Sequence, residues 1–353
     1  MRSVSVAMAT YNGAAYLSEQ LQSLARQTKR PAELVVTDDG STDDTLSLLA
    51  AFSRSAPFPV RVIGNDVRLG YRANFMKAAG LCTSDIVAFC DQDDVWLDGK
   101  LQYCVERLDA SDALLLCHNA IVTDSALAPI DTLAKDALAA PYNAPLTIDP
   151  LHHALGFTML IDRRLTQFSP LWTQSIDLND GHSNEGHDQW YCFLAGVFGA
   201  VLYVDEPLAK YRRHTSAATH TTWAGASIGA QKWDFLFECL PRWENHALAF
   251  EHRSAILDAI AANAASRHAD AARAGADKYR GVARLYRDRV ALYRGATVGT
   301  RLRMFADIMA RGGYRNADVW AKGTKSALKD LLAGVLHASQ MMPATTRTKL
   351  RGY

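Results

Sequence analysis

In the first third of the chain the sequence reads Asp85-Ile86-Val87-Ala88-Phe89-Cys90-Asp91-Gln92-Asp93-Asp94. The apolar run is typical of a buried strand, and three carboxylates follow it at once. Carboxylates this close repel one another and resist leaving water, so a protein accepts them mainly beside a cation. Mg²⁺ and Mn²⁺ suit such a cluster because they combine one or two carboxylates with phosphate oxygens and water. The alternative is an acidic turn in solvent, or a helix N-cap at Asp94 or Asp98.

Strand and helix patterns alternate on both sides of this run, from residue 3 to 118. Leu17, Leu21 and Leu24 recur at the spacing of one helix face, and Gly70–Leu81 is a later helix. Alternation of this kind predicts an α/β fold with a doubly wound, mostly parallel, Rossmann-like sheet. Three further apolar segments supply its other strands: Val4–Met8, Leu34–Thr37 and Val60–Ile63.

Polar residues gather where these strands end. Thr10-Tyr11-Asn12, Asp38-Asp39 and Asp91–Asp94 each follow a predicted strand. Ligands of doubly wound sheets bind at the carboxyl ends of the strands. The coincidence of three such ends therefore indicates a ligand site more strongly than any one motif does.

The second half of the chain is more mixed. It contains predicted strands at Gly156–Ile161 and Val201–Val204, the latter closed by Asp205-Glu206-Pro207, and a predicted helix at Gln189–Phe198. From about Ser227 onward the pattern is Ala-rich, Arg-rich and mostly helical.

The net charge of +1 is unevenly distributed. From Asp270 to Tyr353, 17 Lys and Arg face 6 Asp and Glu, so the preceding residues carry the compensating negative charge. Helices with Tyr, Leu and Arg faces are compatible with an anionic membrane surface or with a solvated helical subdomain. Nucleic acid is a third option, but no recognised nucleic-acid-binding pattern supports it, so we expect none.

Composition sets the expected location. No stretch approaches the ~18 apolar residues of a transmembrane helix, and Met1–Thr10 is better explained as a first strand than as a signal peptide. The six cysteines show no zinc spacing and most lie in apolar stretches. We therefore expect a cytoplasmic protein, with peripheral association at the inner face of the plasma membrane as the alternative.

Three segments together closely resemble the family 2 glycosyltransferases: Val4–Gly13, Val35–Asp43 and Asp91–Trp96. Members of this family are inverting, nucleotide-sugar-dependent enzymes with the GT-A fold. The resemblance covers about residues 3–220. In detail it is most similar to rhamnosyltransferase-type members that build bacterial surface polysaccharides such as O-antigen.

The resemblance continues downstream in three further segments. Gly156-Phe157-Thr158-Met159 looks like the family's acceptor-side strand, and His187-Asp188-Gln189-Trp190 looks like the segment that bears the general base. Asp205–His214 is similar to the closing strand and the basic segment over the diphosphate.

The resemblance implies roles at the donor. Asp39 would bind the uracil or thymine ring, with Thr10 and Tyr11 beside the same nucleoside. As an alternative, Asp38 and Asp39 simply shape the turn and cap a helix. Asp91 would bind ribose or a metal-bound water. The other residues predicted to contact the donor are Asn12, Arg68, Asn74, Gln92 and Arg212, the last as a grip on phosphate together with Arg213.

The resemblance also implies a metal site. Asp93 would coordinate the cation that bridges the two donor phosphates, and Asp94 is either a second ligand or an N-cap. His214 fits an imidazole ligand or a phosphate donor, and otherwise is a surface histidine in a basic loop. The predicted metal ligands are Asp91, Asp93 and His214.

Asp188 is the predicted general base. An inverting transfer needs a carboxylate on the sugar face opposite the leaving group, where it takes the proton of the acceptor hydroxyl. Glu185 is the fallback, and a helix-capping role is the alternative for Asp188. The family often has Glu-Asp here, whereas this chain has His187-Asp188, as in the rhamnosyltransferase-like branch.

Together the sequence predicts an inverting glycosyltransferase with a catalytic domain over residues 1–222 and a basic, mostly helical region over 223–353. The donor would be a dTDP-, UDP- or GDP-sugar, with rhamnose favoured by resemblance alone. The acceptor would be a glycan or lipid-linked oligosaccharide, and the cofactor Mg²⁺ or Mn²⁺. One alternative is a sugar-phosphate nucleotidyltransferase, although Thr10–Gly13 lacks a basic, glycine-rich phosphate loop. The other is an inactive nucleotide- or glycan-binding relative.

Overall fold

The computed structural model describes residues 1–133, 140–214, 231–263, 268–315 and 320–336, with backbone alone over 231–239. The described residues form two compact units. The first comprises the described parts of Met1–Ile148, His152–Thr173 and Asn184–Ala218, and the second those of Asp149–Leu151, Gln174–Ser183 and Thr219–Tyr353. The predicted domain boundary at 222/223 lies outside the described residues.

The first unit holds one mixed sheet. Its strands are β1 (Val4–Thr10), β2 (Glu33–Asp38), β3 (Val60–Gly64), β4 (Ile86–Cys90), β5 (Val95–Trp96), β6 (Ala113–Thr123), β7 (Pro129–Thr132), β8 (Tyr142–Asn143), β9 (Met159–Asp162) and β10 (Ala200–Arg212). Among the described residues the sheet order is β3-β2-β1-β4-β9-β6-β10-β5, with β7 beside β6 and β8 beside β10. Its helices are α1 (Ala14–Ala25), α2 (Thr45–Ser55), α3 (Gly70–Leu81), α4 (Lys100–Asp109) and α5 (His187–Phe198).

The parallel half of the sheet follows from the apolar runs of the sequence. β1, β2 and β4 are buried along their whole length, as expected of strands covered on both faces. β1 pairs in parallel with β2 and β4, and β2 with β3. The predicted α/β, mostly parallel architecture is therefore confirmed. Its effect is to bring the carboxyl ends of β1, β2 and β4 to one edge.

Two sequence predictions about strand limits are wrong. Gly156–Thr158 is a short 3₁₀ turn, and the strand begins only at Met159, which pairs antiparallel with β6. The last strand does not close at Asp205-Glu206-Pro207 but continues as β10 to Arg212. Its register against β6 shifts between Val204 and Pro207, and a bulge of this kind is where a strand tolerates proline.

The second unit is helical in its described part. Its helices are α6 (Gln231–Ala262), α7 (Ala269–Arg294), α8 (Val298–Ala310) and α9 (Gly323–Lys329), and a π-helical turn follows at Asp330–Val335. α6 packs along α7, with the rings of Phe250 and Tyr286 5.8 Å apart. A buried ion pair joins Arg289 to Asp330 at 2.7 Å, and the hydroxyl of Tyr314 donates to the same carboxylate at 2.7 Å.

Among the described residues, none of the helices combines the length and the apolar character that crossing a bilayer would require.

Candidate active site

Asp38 organises the turn after β2. Its carboxylate accepts hydrogen bonds from the hydroxyls of Thr10 at 2.7 Å and Ser41 at 2.6 Å. The same carboxylate also accepts from the backbone N–H groups of Gly40 and Ser41. With this many donors from its own turn, Asp38 does what the alternative interpretation proposed for it: it shapes the loop that presents Asp39.

Asp39 lies between the end of β2 and the start of α3. The backbone N–H groups of Leu69 and Gly70 donate to its two oxygens at 2.6 and 2.7 Å, and the Asn65 amide donates at 3.0 Å. A carboxylate has about four lone-pair positions, so these three bonds leave room for one more N–H donor, such as a nucleobase imide. Asp39 thus holds the start of α3, as the alternative interpretation proposes, and its role at a nucleobase stays a prediction.

Asn74 is a buried connector rather than a side chain open to a ligand. Its amide donates to the carbonyl of Thr37 at 2.9 Å, and its oxygen accepts from Asn65 at 2.8 Å. Only 2% of Asn74 is exposed. It therefore holds α3 to the strand ends, and any effect on a donor would pass through Asp39 and Asn65.

Tyr11 is fixed through its backbone and covered on its ring. The Gln92 amide donates to the carbonyl of Tyr11 at 3.1 Å and accepts from its N–H at 3.0 Å. A Cβ on Gly13 would lie 2.2 Å from Gln92 Oε1, so a larger residue there would displace the Gln92 amide. The guanidinium of Arg68 lies 3.9 Å from the centre of the Tyr11 ring, a cation–π geometry. Gln92 thus positions Tyr11, and Arg68 and Tyr11 form one surface.

Asn12 ties the same loop to the turn after β2. Its side-chain oxygen accepts from the N–H of Thr42 at 2.8 Å, and its backbone N–H donates to the Ser41 hydroxyl at 2.9 Å. It adopts a positive φ of 46°, which asparagine tolerates better than most residues. Its side-chain contacts are with the protein, so Asn12 also positions the site.

Three carboxylates converge beyond the end of β4. Asp91, Asp93 and Asp94 each offer an oxygen within 4.8 Å of the others. Burial, reinforced by the neighbouring Asp93, raises the pKa values of Asp91 and Asp94. The charge of Asp188 raises the pKa of Asp91 further, which places Asp188 within electrostatic reach of the cluster. Asp94 is wholly buried and α4 begins at Lys100 without a side-chain cap, so Asp94 is neither a solvated turn residue nor its N-cap.

His214 reaches this cluster from the end of β10. Its Nε2 lies 2.9 Å from Asp93 Oδ2, and its side chain is 6% exposed. The ring of Tyr16 lies 4.6 Å from the imidazole, centre to centre. His214 is therefore not the surface histidine of the alternative interpretation.

Arg212 is engaged by the protein on every side. Its backbone N–H donates to Asp94 Oδ1 at 2.9 Å, and its Nε donates to the carbonyl of Asp93 at 2.8 Å. Its Nη1 donates to the Ser125 carbonyl at 2.5 Å, and its Nη2 forms an ion pair with Glu19. These bonds engage all three guanidinium nitrogens with the protein. The predicted grip of Arg212 on phosphate stays a prediction. The neighbouring Arg213 is exposed.

Lys100 is a site residue that the sequence analysis missed. Lys100 is fully buried. Its Nζ donates to the carbonyl of Phe157 at 2.7 Å and lies 3.6 Å from the centre of the Trp96 ring. Burial lowers its pKa to about 8, while the charges of Asp94 and Asp91 act in the opposite direction. The signal was present, because Lys100, Cys104 and Leu108 share the buried face of α4 at i, i+4 and i+8.

The donor set at this edge fits a divalent cation. Three carboxylates and one imidazole lie together, which suits Mn²⁺ or Mg²⁺. Among the described residues, Asp94 Oδ2 is buried without a hydrogen-bond partner, and such an atom is costly unless something binds it. Asp91, Asp93, Asp94 and His214 are thus the residues that could hold the ion.

Asp188 lies in the first turn of α5. Its Oδ1 accepts from the N–H of Gln189 at 2.8 Å, and the helix N-terminus favours its negative charge. Asp188 is partly exposed, whereas Glu185 is fully buried. Of the two, only Asp188 offers a carboxylate to an incoming molecule without rearrangement.

His187 is packed under this carboxylate. Its ring stacks on Phe75 at 4.1 Å, and burial lowers its pKa to about 4, so it is neutral near pH 7. A Cβ on Gly156 would lie 2.1 Å from His187 Nε2, which explains glycine at that turn. Trp190 is fully buried on the same helix, a core residue rather than a sugar platform.

A cavity of about 540 Å³ lies elsewhere, in the second unit, between α7 and the segment that follows α8. Its charged lining residues include Asp288, which already pairs with Arg311 at 2.6 Å. Within the described residues the only cluster of potential metal ligands is the one after β4. We therefore assign the chemistry to the strand ends and not to this cavity.

Comparisons with known proteins agree with the geometry. A model of the Glycosyl transferase family 2 matches residues 5–166. An uncharacterized protein of Mycobacterium tuberculosis is 26% identical over 224 residues, which cover 62% of this chain and 61% of that protein. The dTDP-rhamnosyl transferase RfbG of Shigella flexneri is 32% identical over 118 residues, which cover 32% of this chain and 41% of that protein. This chain thus spans less than two thirds of the length of either relative.

A solved structure shares the fold. TarS of S. aureus, residues 1–349 in complex with UDP-GlcNAc, aligns with 86% of this chain and 80% of its own at a TM-score of 0.52. The two sequences are 17% identical, so this likeness concerns the architecture alone.

Proposed function

Residues 5–166 are a family 2 glycosyltransferase domain, and on this premise we propose that the protein moves a sugar from a nucleotide-sugar donor to a glycan or lipid-linked acceptor, with inversion at the anomeric carbon. The observation that carries the proposal is the acidic cluster after β4, with the charge of Asp188 acting on Asp91. A site for a diphosphate-bound cation and a separate carboxylate base are what an inverting transfer requires.

The donor would lie along the carboxyl ends of β1, β2 and β4. Asp39 would accept the imide N–H of uracil or thymine at its remaining lone pair, and the Tyr11–Arg68 surface would border the nucleoside. Asp91 would bind ribose or a metal-bound water. Asn12, Asn74, Gln92 and Arg212 would act by holding these groups in place, through the contacts described above.

A divalent cation, held by Asp93 with Asp91, Asp94 and His214, would neutralise charge on the departing nucleoside diphosphate. Asp188 would accept the proton of the acceptor hydroxyl while that oxygen bonds to the anomeric carbon and the bond to the diphosphate oxygen breaks. The N-terminal end of α5 holds Asp188 in place for this step, and its partial exposure lets the hydroxyl approach.

We further propose dTDP-rhamnose as the donor, supported by the similarity to a protein named dTDP-rhamnosyl transferase and by the His187-Asp188 pair. UDP- and GDP-sugars are the competing donors. The proposed setting is surface polysaccharide synthesis at the cytoplasmic side of the membrane.

The test is a donor panel with mass-spectrometric detection of products, with and without Mn²⁺, on the wild type and two variants. Asp188→Asn keeps the shape and removes the base, so we expect kcat to fall by roughly 10²–10⁴-fold while the affinity for nucleoside diphosphate changes little. Asp93→Asn should instead weaken Mn²⁺ and nucleotide binding, which calorimetry measures.

Two matched variants make the result decisive. Asp180→Asn, in a loop of the second unit, should leave transfer unchanged. Glu185→Gln tests the fallback base: loss of transfer there with retention in Asp188→Asn would move the base to Glu185. Nucleotide binding without turnover for any donor would favour the inactive binding relative, and formation of a sugar nucleotide from a sugar phosphate would favour the nucleotidyltransferase.

A further inference from the structure

Exposed apolar side chains are concentrated at the C-terminal end of the described chain. Of the fifteen large hydrophobic residues that are exposed in its described part, six lie on α8 and on the α9 segment with its π-helical extension, each between 45% and 59% exposed. They are Val298, Leu302, Met309, Leu328, Leu332 and Leu336, and we call them the C-terminal apolar surface.

The spacing of these residues is helical. Val298, Leu302 and Met309 are separated by four and seven residues on α8, and Leu328, Leu332 and Leu336 recur every four residues. Neighbouring positions of the same segments enter the core, Ile308 at 1% exposure and Val335 at 0%. Each segment therefore has one apolar face packed inside and a second one in solvent, which a monomer in water does not need.

The two segments belong to one part of the second unit. Phe305 of α8 and Ala327 of α9 pack against the same small cluster, formed by Leu285, Ile308 and Tyr314. The exposed residues are thus contributed by neighbouring helices rather than scattered over the molecule. Grouped apolar residues of this kind mark an interaction surface.

Exposed basic residues lie in the same part of the chain as the C-terminal apolar surface. Arg303 on α8, Arg315 beyond it and Lys325 on α9 are exposed, whereas the exposed Arg311 pairs with Asp288 of α7. Within the described part of 298–336 Asp307 is the only exposed acidic residue. From Val298 to Tyr353 the sequence carries ten Lys and Arg against three Asp and no Glu. A partner for this surface must be apolar in its interior and negatively charged at its edge.

We propose that the C-terminal apolar surface docks on an anionic lipid bilayer, with its Leu, Val and Met side chains among the acyl chains and its Arg and Lys at the headgroups. A second copy of the chain would bring the same excess of positive charge, so the charges oppose self-association through this face. An anionic bilayer complements both features at once. The proposal deepens the proposed function, because it names the surface on which a lipid-linked acceptor is met.

Co-sedimentation of the full chain with vesicles tests the proposal. We expect binding to phosphatidylcholine vesicles that contain phosphatidylglycerol and little binding to phosphatidylcholine alone. The triple variant Leu328→Gln, Leu332→Gln, Leu336→Gln should weaken binding about ten-fold or more. Arg303→Gln with Lys325→Gln should weaken it several-fold and lower its sensitivity to salt. The control is Leu46→Gln with Val67→Gln, which removes exposed apolar residues from the first unit and should bind like the wild type.

Two results would overturn the proposal. One is equal binding of the triple variant and the wild type to anionic vesicles, or no binding by either. The other is a lipid-free dimer on size exclusion that the triple variant abolishes, because the surface would then join two copies. Circular dichroism of each variant checks that it is folded.

The outcome is separable from that of the proposed function. Transfer to a water-soluble acceptor should be the same in the triple variant and the wild type. Vesicle binding without any transfer would reject the enzyme and keep the docking surface, whereas transfer without vesicle binding would do the reverse.

Discussion

Lys100 is the internal positive charge of the acidic cluster. It is fully buried, and among the described residues its ammonium donates to one acceptor, the Phe157 carbonyl, and lies over the face of Trp96. A buried ammonium in so sparse a shell is stable because carboxylate charge lies nearby, and the charges of Asp94 and Asp91 do act on it. Lys100 thus does part of what a bound cation does, and it joins the cluster to the turn at Phe157.

Lys100→Met should lower the free energy of unfolding of the metal-free protein by about 3 kcal/mol, because it leaves buried carboxylates without their counter-charge. Added Mn²⁺ supplies positive charge, so we expect it to raise the unfolding midpoint of Lys100→Met by more than that of the wild type. Thermal unfolding with and without Mn²⁺ measures both effects. Lys29→Met is the control, and an equal Mn²⁺ effect in Lys100→Met and the wild type would contradict the role.

Individual residues show which parts of the site can be predicted from the sequence. Asp39, Asp91 and Asp93 could be placed at strand ends because acidic residues directly after an apolar run are typical of a strand that ends at a ligand site. The partners of Asn74 and Arg212 could not, because each is set by groups far away in the chain: Arg212 contacts the Asp93 carbonyl and Glu19. Residue type predicts what a side chain can bind, and only the fold decides which of those options is already used.

β10 is the element that completes the site. It runs parallel to β6 and antiparallel to β5, so its end is brought beside the acidic cluster. The pattern of the sequence ends this strand at Asp205-Glu206-Pro207, whereas the family resemblance implies a closing strand within Asp205–His214. The strand instead shifts register there and continues to Arg212. A bulge is defined by the pairing with the partner strand, and the hydrophobic pattern of one segment carries no information about that pairing.

Arg212→Lys tests whether the end of β10 is fixed by Arg212. Lysine cannot reproduce three separate bonds, to the Asp93 carbonyl, the Ser125 carbonyl and Glu19, so we expect the unfolding free energy to fall by about 2 kcal/mol without nucleotide. Urea unfolding measures this change. Arg213→Lys, at the exposed neighbour, should have no effect. Unchanged stability with weakened UDP or dTDP binding would instead support the grip on phosphate.

Buried neutral histidines occur in both compact units. His187 lies in the first and His246 in the second, at 5% and 7% exposure. Burial lowers the pKa of His187 to about 4 and that of His246 to about 3, the latter aided by nearby Lys322 and Arg242. An unfolded histidine titrates near ~6.5. A fall in pH should therefore destabilise both compact units and not only the candidate active site.

The sign of the pH effect follows from these values. Below about pH 6.5 the unfolded chain binds protons that the folded chain does not, so the free energy of unfolding decreases as the pH falls. Between pH 7.5 and 5.0 each of the two histidines should account for a loss of about 2 kcal/mol. Urea unfolding at pH 7.5 and 5.0 measures how much unfolding free energy is lost between the two. In His246→Gln and in His187→Gln this loss should be smaller than in the wild type by about 2 kcal/mol. Glutamine is neutral at both pH values, and the acidic cluster titrates in every variant, so the comparison isolates the histidine. His182→Gln, at a largely exposed side chain, should keep the wild-type dependence. Equal pH dependence in all four proteins would mean that these imidazoles become protonated without unfolding.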